Sequence, residues 1–312
     1  MRRLIRGALH ASMVLALASP SAWLAAQTAY KYRDSNGQWV FTDQASAAAE
    51  RGDALRVGHE NDSLHVSVDR IDEAGSLQLV AVNDCLCVVT FEVLIQQSGV
   101  GAIAAGAGYR ATLAPRTRQV MVQADTGAAK AALGFAWRAA LGSPDAVHKP
   151  QRPYRVPFDV GSTYVISQAY PSRLTHTTPD SQYAVDIALP DGTPVYAARE
   201  GTVINARHDS FRGGADPVML DQANLIEILH DDGTIGIYAH LRWDSIRVRI
   251  GAHVARGQNI ADSGNTGFSS GPHLHFAVIR NAGATDVSVP IQFAGMGETG
   301  VTPEMQMALT AY

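Results

Sequence analysis

From residue 154 onward the chain alternates short apolar runs with turn residues, and no sustained helical period interrupts them. The pattern predicts strands over 164–168, 195–198, 201–206, 225–230, 234–241, 246–250 and 276–279. Asp231-Asp232-Gly233 joins two of them as a hairpin. A faint internal echo runs through this region: Gly192-Thr193-Pro194-Val195 leads to Gly201 and Ile204, as Gly251-Ala252-His253-Val254 leads to Gly257 and Ile260. The expectation is a compact antiparallel β domain over 154–295, with 296–312 left as a tail.

Upstream, residues 63–137 also read as strands, with runs at 64–68, 77–82, 88–95 and 119–122 separated by Gly, Asn and Pro. This predicts an antiparallel, Ig-like β-sandwich over 60–145. The small-residue stretch 99–108 is expected to be a loop. Pro144, Pro150, Pro153 and Pro157 mark 143–157 as a linker. Nearer the start, aromatic-rich strands flank Asn36-Gly37 over 29–43, a strong hairpin signal, and alanine-rich 45–53 reads as a second linker. Residues 27–50 thus form a short hairpin domain and linker. The whole chain is expected to be all-β.

Residues 1–26 have the make-up of a secretory signal peptide. Arg2, Arg3 and Arg6 precede an apolar run over 8–18, and Leu24-Ala25-Ala26 supplies a small-residue cleavage site. That run is too short and interrupted to span a bilayer, and no later stretch is a transmembrane candidate. The protein is therefore expected to be exported, to the periplasm or cell envelope. Its formal net charge of −4 becomes more acidic once the leader's arginines are removed, which excludes a basic nucleic-acid footprint. Cys85 and Cys87 are the only cysteines. As strand neighbours two apart they sit at the limit of disulfide reach, so they read as two small buried residues, with a strained disulfide as the alternative.

The candidate chemistry gathers in the C-terminal domain. The stretch 264–276 reads Gly-Asn-Thr-Gly-Phe-Ser-Ser-Gly-Pro-His-Leu-His-Phe, a glycine- and serine-rich loop running into a strand. Residues i and i+2 of a strand share a face, so His273 and His275 project together and Leu274 projects away. His176 lies in a turn-rich stretch, Asp186 ends Tyr-Ala-Val-Asp, and His240 ends Ile-Tyr-Ala-His. A catalytic zinc site uses three nitrogen or oxygen ligands and keeps one open position. Two histidines and an aspartate satisfy that requirement, and the two histidines left over suit the orientation of water and the stabilisation of an oxyanion. His65, His148, His208, His230 and His253 are expected to stay away from any metal.

Together 186–201, Tyr238-Ala239-His240-Leu241 and 264–276 resemble the LytM/lysostaphin-type zinc metallopeptidases of the cell envelope, over roughly 154–293. The resemblance implies a small antiparallel β fold, one Zn2+ per chain, and hydrolysis of peptide bonds in the stem peptides or cross-links of peptidoglycan. It implies His176, Asp186 and His275 as metal ligands, with His240 and His273 acting on water and the tetrahedral intermediate. One departure stands out. The common motif puts the first histidine four residues before the aspartate, whereas here His176 precedes Asp186 by ten. Ser167-Gln168 and Tyr183-Ala184-Val185-Asp186 fit a subgroup with that longer loop. The 29–43 hairpin resembles a short domain of unknown function found after the signal peptide in proteobacterial envelope proteins, which points to a Gram-negative envelope. Two other classes compete. One is an inactive relative that activates another cell-wall hydrolase, a class that typically lacks ligands retained here. The other is a lipoyl-type carrier suggested by 192–203, which has no Met-Lys-Met-like tip.

Overall fold

The computed structural model describes residues 29–33, 39–42, 55–57, 66–73, 75–100, 103–126, 132–172 and 174–312. The expected leader over 1–26, the expected turn at Asn36-Gly37, the expected linker over 45–53 and His65 lie outside them. The chain divides into two compact units, Met1–Val57 and Gly58–Tyr312. In the first, Ala29–Arg33 and Trp39–Thr42 pair antiparallel as the sequence predicts, and Leu55–Val57 adds a third strand along the free side of the first. Among the described residues helix is confined to two 3-10 turns, Pro217–Met219 and Met296–Glu298, and the described fold is all-β. None of these helices is long and apolar enough to cross a membrane.

The segment expected as an Ig-like sandwich forms two three-stranded antiparallel sheets. Val66–Glu73, Ser76–Asn83 and Thr117–Asp125 make one; Gly108–Leu113, Val89–Ser98 and Leu133–Leu141 make the other. Leu77, Leu79 and Val122 from the first meet Val89, Phe91 and Val93 from the second in one core. Cys85 and Cys87 correct the sequence reading. They are joined in a disulfide and both are buried. The reason is local: 84–87 is a bend between strands, and it brings the two Cα atoms to 5.2 Å, well within disulfide range.

The C-terminal domain is built on a nine-stranded antiparallel sheet. Its order is His253–Val254, Gly201–Arg207, Leu225–Leu229, Ile235–Ala239, Leu274–Asn281, Val185–Ile187, Thr163–Gln168 and Ala308–Thr310, with Asp286–Ser288 also paired to Leu274–Asn281. Asp231-Asp232-Gly233 makes the expected hairpin, with Gly233 at φ 80°. The internal echo becomes one repeated turn, Gly192 and Gly251 both at φ 85°, each followed by a short strand. Residues 296–312 are not a tail. Ala308–Thr310 pairs with Thr163–Gln168, and Leu309 and Ala311 enter the core. The pairing covers backbone that would otherwise be left as an open sheet edge.

Strand alternation sorts the side chains. Leu274, Phe276 and Val278 enter a core with Tyr154, Phe158, Tyr238 and Phe293. His275, Ala277, Ile279 and Asn281 take the opposite face. On that face the far end of the sheet is covered: Ile204, Ile235 and Ile279 belong to the same core as the two upstream sheets. Asn281, fully buried, donates to Thr90 Oγ1 and to the Gly142 carbonyl, both at 2.9 Å, and accepts from the Gly283 and Ala284 amides. The 143–157 stretch is likewise packed rather than a free linker. Val147 donates to the Asp232 carbonyl, the Lys149 amide to the Asp232 carboxylate, and Tyr154 is buried. Its prolines fix an extended path along the C-terminal domain instead of loosening it.

Candidate metal centre

The uncovered end of that face is where the polar residues converge. Asp186 lies on the short buried strand Val185–Ile187, in register with His275 on one side and Gln168 on the other. Cross-strand partners share a face, so this register alone brings the aspartate and the second histidine of His-x-His together. His275 Nδ1 lies 2.9 Å from Asp186 Oδ1, and His176 Nε2 lies 3.1 Å from Asp186 Oδ2. The two imidazoles stand nearly perpendicular, 84° apart, with centroids separated by 5.0 Å. One donor atom from each of His176, Asp186 and His275 falls within 4.8 Å of the others.

Burial opposes ionisation of Asp186. Hydrogen bonds from His176 and His275 outweigh it and hold the carboxyl far below the usual carboxylate range. The donor set is thus two imidazole nitrogens and an ionised carboxylate, the chemistry of a three-protein-ligand zinc site. His176 and Asp186 are buried, while the His275 side chain keeps 19% of its exposure, so the cluster opens on that side.

The remaining two histidines flank the cluster without joining it. His273 Nε2 is 3.9 Å from Asp186 Oδ1. The His240 and His273 rings are 4.5 Å apart, and His240 meets His275 edge-on at 5.9 Å. His240 closes the Ile235–Ala239 strand in the left-handed region, at φ 62°. That turn swings its ring back over the sheet end. Both rings are oriented by main-chain carbonyls: His240 Nδ1 donates to Thr266 O at 2.7 Å and His273 Nδ1 to Gly271 O at 2.8 Å. A carbonyl only accepts, so each Nδ1 carries a proton and each Nε2 is the ring nitrogen left for chemistry. Burial, reinforced by the neighbouring His273 and His275, pushes the His240 pKa down to about 3 and keeps the ring neutral.

All five polar stations singled out in the sequence therefore lie at one sheet end. His148, His230 and His253 do not. His230 is buried and bonded to the Glu200 carbonyl, His148 stacks on Tyr154, and His253 is exposed on an edge strand. The sequence reading missed the supporting carbonyls of Thr266 and Gly271, for which no side-chain signal exists. The glycine- and serine-rich loop that supplies them was visible only as a turn.

Residues 180–287 match the model of Peptidase family M23, and residues 14–61 match a domain of unknown function, DUF4124. The M23 match begins just after His176. The peptidoglycan DD-endopeptidase ShyA of Vibrio cholerae is 33% identical over 140 residues, 43% of this chain and 30% of that protein. Lysostaphin of Staphylococcus staphylolyticus is 34% identical over 131 residues, 39% of this chain and 24% of that protein. This chain thus spans under a third of the length of these curated relatives. The solved catalytic domain of lysostaphin from Staphylococcus simulans is 31% identical, with 40% of this chain and 87% of that one covered and a TM-score of 0.29.

Proposed function

Residues 180–287 are a peptidase family M23 domain, and from that premise we propose that the protein is an exported, zinc-dependent endopeptidase that hydrolyses peptide bonds in the stem peptides or cross-links of peptidoglycan. The observation that carries this is the convergence of His176, Asp186 and His275 within 4.8 Å, with His240 and His273 beside them. The peptidoglycan substrate follows from the likeness to the peptidoglycan DD-endopeptidase ShyA.

His176 Nε2, the Asp186 carboxylate and His275 Nδ1 would hold one zinc ion. Bound there, zinc supplies Lewis-acid polarisation and brings the acidity of water close to neutrality. The rest is the work of the chain's own residues. With Nδ1 committed to a carbonyl, His240 and His273 each have Nε2 left for proton transfer beside the cluster. One takes the proton of the attacking water, and in its protonated form that ring donates to the leaving amine or to the developing oxyanion. The Thr266 and Gly271 carbonyls fix both tautomers, so neither ring has to reorient before the proton moves. The first 26 residues direct export and are removed near Ala26.

The test is metal analysis combined with muropeptide release from purified sacculi, followed by mass spectrometry. The expected result is one zinc per chain and release of peptide-cleaved muropeptides. Zinc affinity should weaken as pH falls toward about 5, because ligand histidines must be neutral. Protein that neither carries nor takes up zinc would overturn the reading. N-terminal sequencing of periplasmic protein checks export, and an intact Met1 would refute it.

A further inference from the structure

Moving the first ligand from four to ten residues before the aspartate creates a physical problem. A ligand on a long loop pays more ordering entropy on binding, and it loses the fixed geometry that a short connection gives. The His176 loop leaves the sheet after Gln168 and returns at Val185. Gln168 is itself 4% exposed and is paired in register with Asp186. Its carboxamide turns to Thr175, the residue before His176. Gln168 Nε2 donates to Thr175 Oγ1 at 3.0 Å, and the Thr175 amide donates to Gln168 Oε1 at 3.2 Å. One buried side chain thus ties the backbone next to one ligand to the strand position opposite another. Beyond His176 the loop is held again by Ser288. The Ser288 amide and hydroxyl both donate to the Pro179 carbonyl at 2.9 Å, and the Tyr183 amide donates to Ser288 Oγ at 2.9 Å.

We propose that Gln168 is a positioning residue for the metal centre. It clamps Thr175 so that His176 is presented to Asp186 in fixed geometry, with Ser288 anchoring the far side of the same loop. The inference rests on the zinc reading above. It gives the longer loop the rigidity that the four-residue spacing would have had built in. Second-sphere partners of this kind typically change metal affinity 10–100-fold when removed.

The experiment measures zinc affinity of the full-length mature protein by competition with a chromophoric chelator. Gln168→Ala should bind zinc about 10–100-fold more weakly than wild type. In a His176→Ala background, Gln168→Ala should cause no further loss, because the clamp acts only through His176. A merely structural role would lower affinity or thermal stability equally in both backgrounds, and that outcome would overturn the proposal. Wild-type affinity in a folded Gln168→Ala protein would overturn it too. Thr175 is exposed, so Thr175→Val provides a folded variant that removes the hydroxyl's share of the clamp. It should weaken zinc binding several-fold in the wild-type background and not in His176→Ala. Unchanged affinity in Thr175→Val and Gln168→Ala alike refutes the clamp. If wild-type protein binds no zinc, it is the metallopeptidase reading that fails.

Discussion

The strand Leu274–Asn281 presents His275 at one end of a sheet face and Ile279 and Asn281 at the other. At the far end, Ile204, Ile235 and Ile279 are sealed under the upstream sheets, and Asn281 has its amide matched on both sides. At the near end, imidazoles crowd a carboxylate, and two more rings are held beside them by main-chain carbonyls. The same strands and the same alternation thus make two surfaces, one optimised for burial and one left electrostatically unfinished. The upstream sheets belong to the same compact unit, so this division is built into the fold. The histidine end keeps its chemistry because the covering residues meet the face about four positions further along the strand, roughly 13 Å away.

Substitutions at each end should separate the two surfaces. The largest effect belongs to His275→Ala, which should lose zinc and activity together. His273→Ala and His240→Ala should keep zinc and lose rate by about 10²–10⁴-fold, as expected for removal of a proton-transfer group. Zinc content and muropeptide release measured on all three, after a folding check, decide the assignment. Loss of zinc from His273→Ala but not from His275→Ala would reverse the pair. At the covered end, Ile235→Ala should cost about 2–5 kcal/mol in denaturant unfolding while zinc affinity of the folded protein stays unchanged. A matching drop in zinc affinity would mean that the two surfaces are not independent. Asn281→Leu should cost less, about 1–3 kcal/mol, by leaving the buried Gly142 carbonyl without its donor.

The last test is one of pH. Asp286 is adjacent to the covered end, opposite Asn281. Burial, with Glu227 and Asp180 nearby, raises its pKa from 3.8 to about 7, against a hydrogen bond from the Leu141 backbone. The folded state therefore binds this proton more tightly than the unfolded chain does. The contribution to stability is full below pH 3.8 and is lost as pH rises through about 7. Thermal unfolding of wild type and Asp286→Asn across pH 5–8 tests this. The wild type should lose stability relative to the variant as pH rises, and parallel curves would remove Asp286 from the account.

The near end of the face was far more legible in the sequence than the covered end. Period-two spacing put His273 and His275 together, and Asp186 and His240 ended apolar runs that had to be strands. Covering is a long-range event with no local signature. Ile235 and Ile279 look the same in sequence whether they face a partner sheet or the domain's own core. Gly108–Leu113 and Leu133–Leu141 are rich in small residues, which hid them as strands. Prolines at 144–157 suggested a free linker because proline marks local stiffness and says nothing about docking. The pairing of Ala308–Thr310 with Thr163–Gln168 spans more than 140 residues, out of reach of any window-based pattern. The cysteine pair was misjudged because disulfide reach depends on whether the chain bends, and the bend at 84–87 has no glycine or proline to announce it.

One backbone angle has a bearing on how this protein would respond to engineering. His240 sits at φ 62°, where a side chain costs of order 1 kcal/mol and glycine costs almost nothing. A library sorted for heat resistance alone would favour glycine at that position and would discard a ring poised at the open side of the ligand cluster. Sorting for muropeptide release would restore the histidine at the expense of melting temperature. The two screens should therefore diverge at residue 240 before they diverge anywhere in the apolar core, and that divergence would mark, without a structure in hand, where the chain accepts instability in return for turnover.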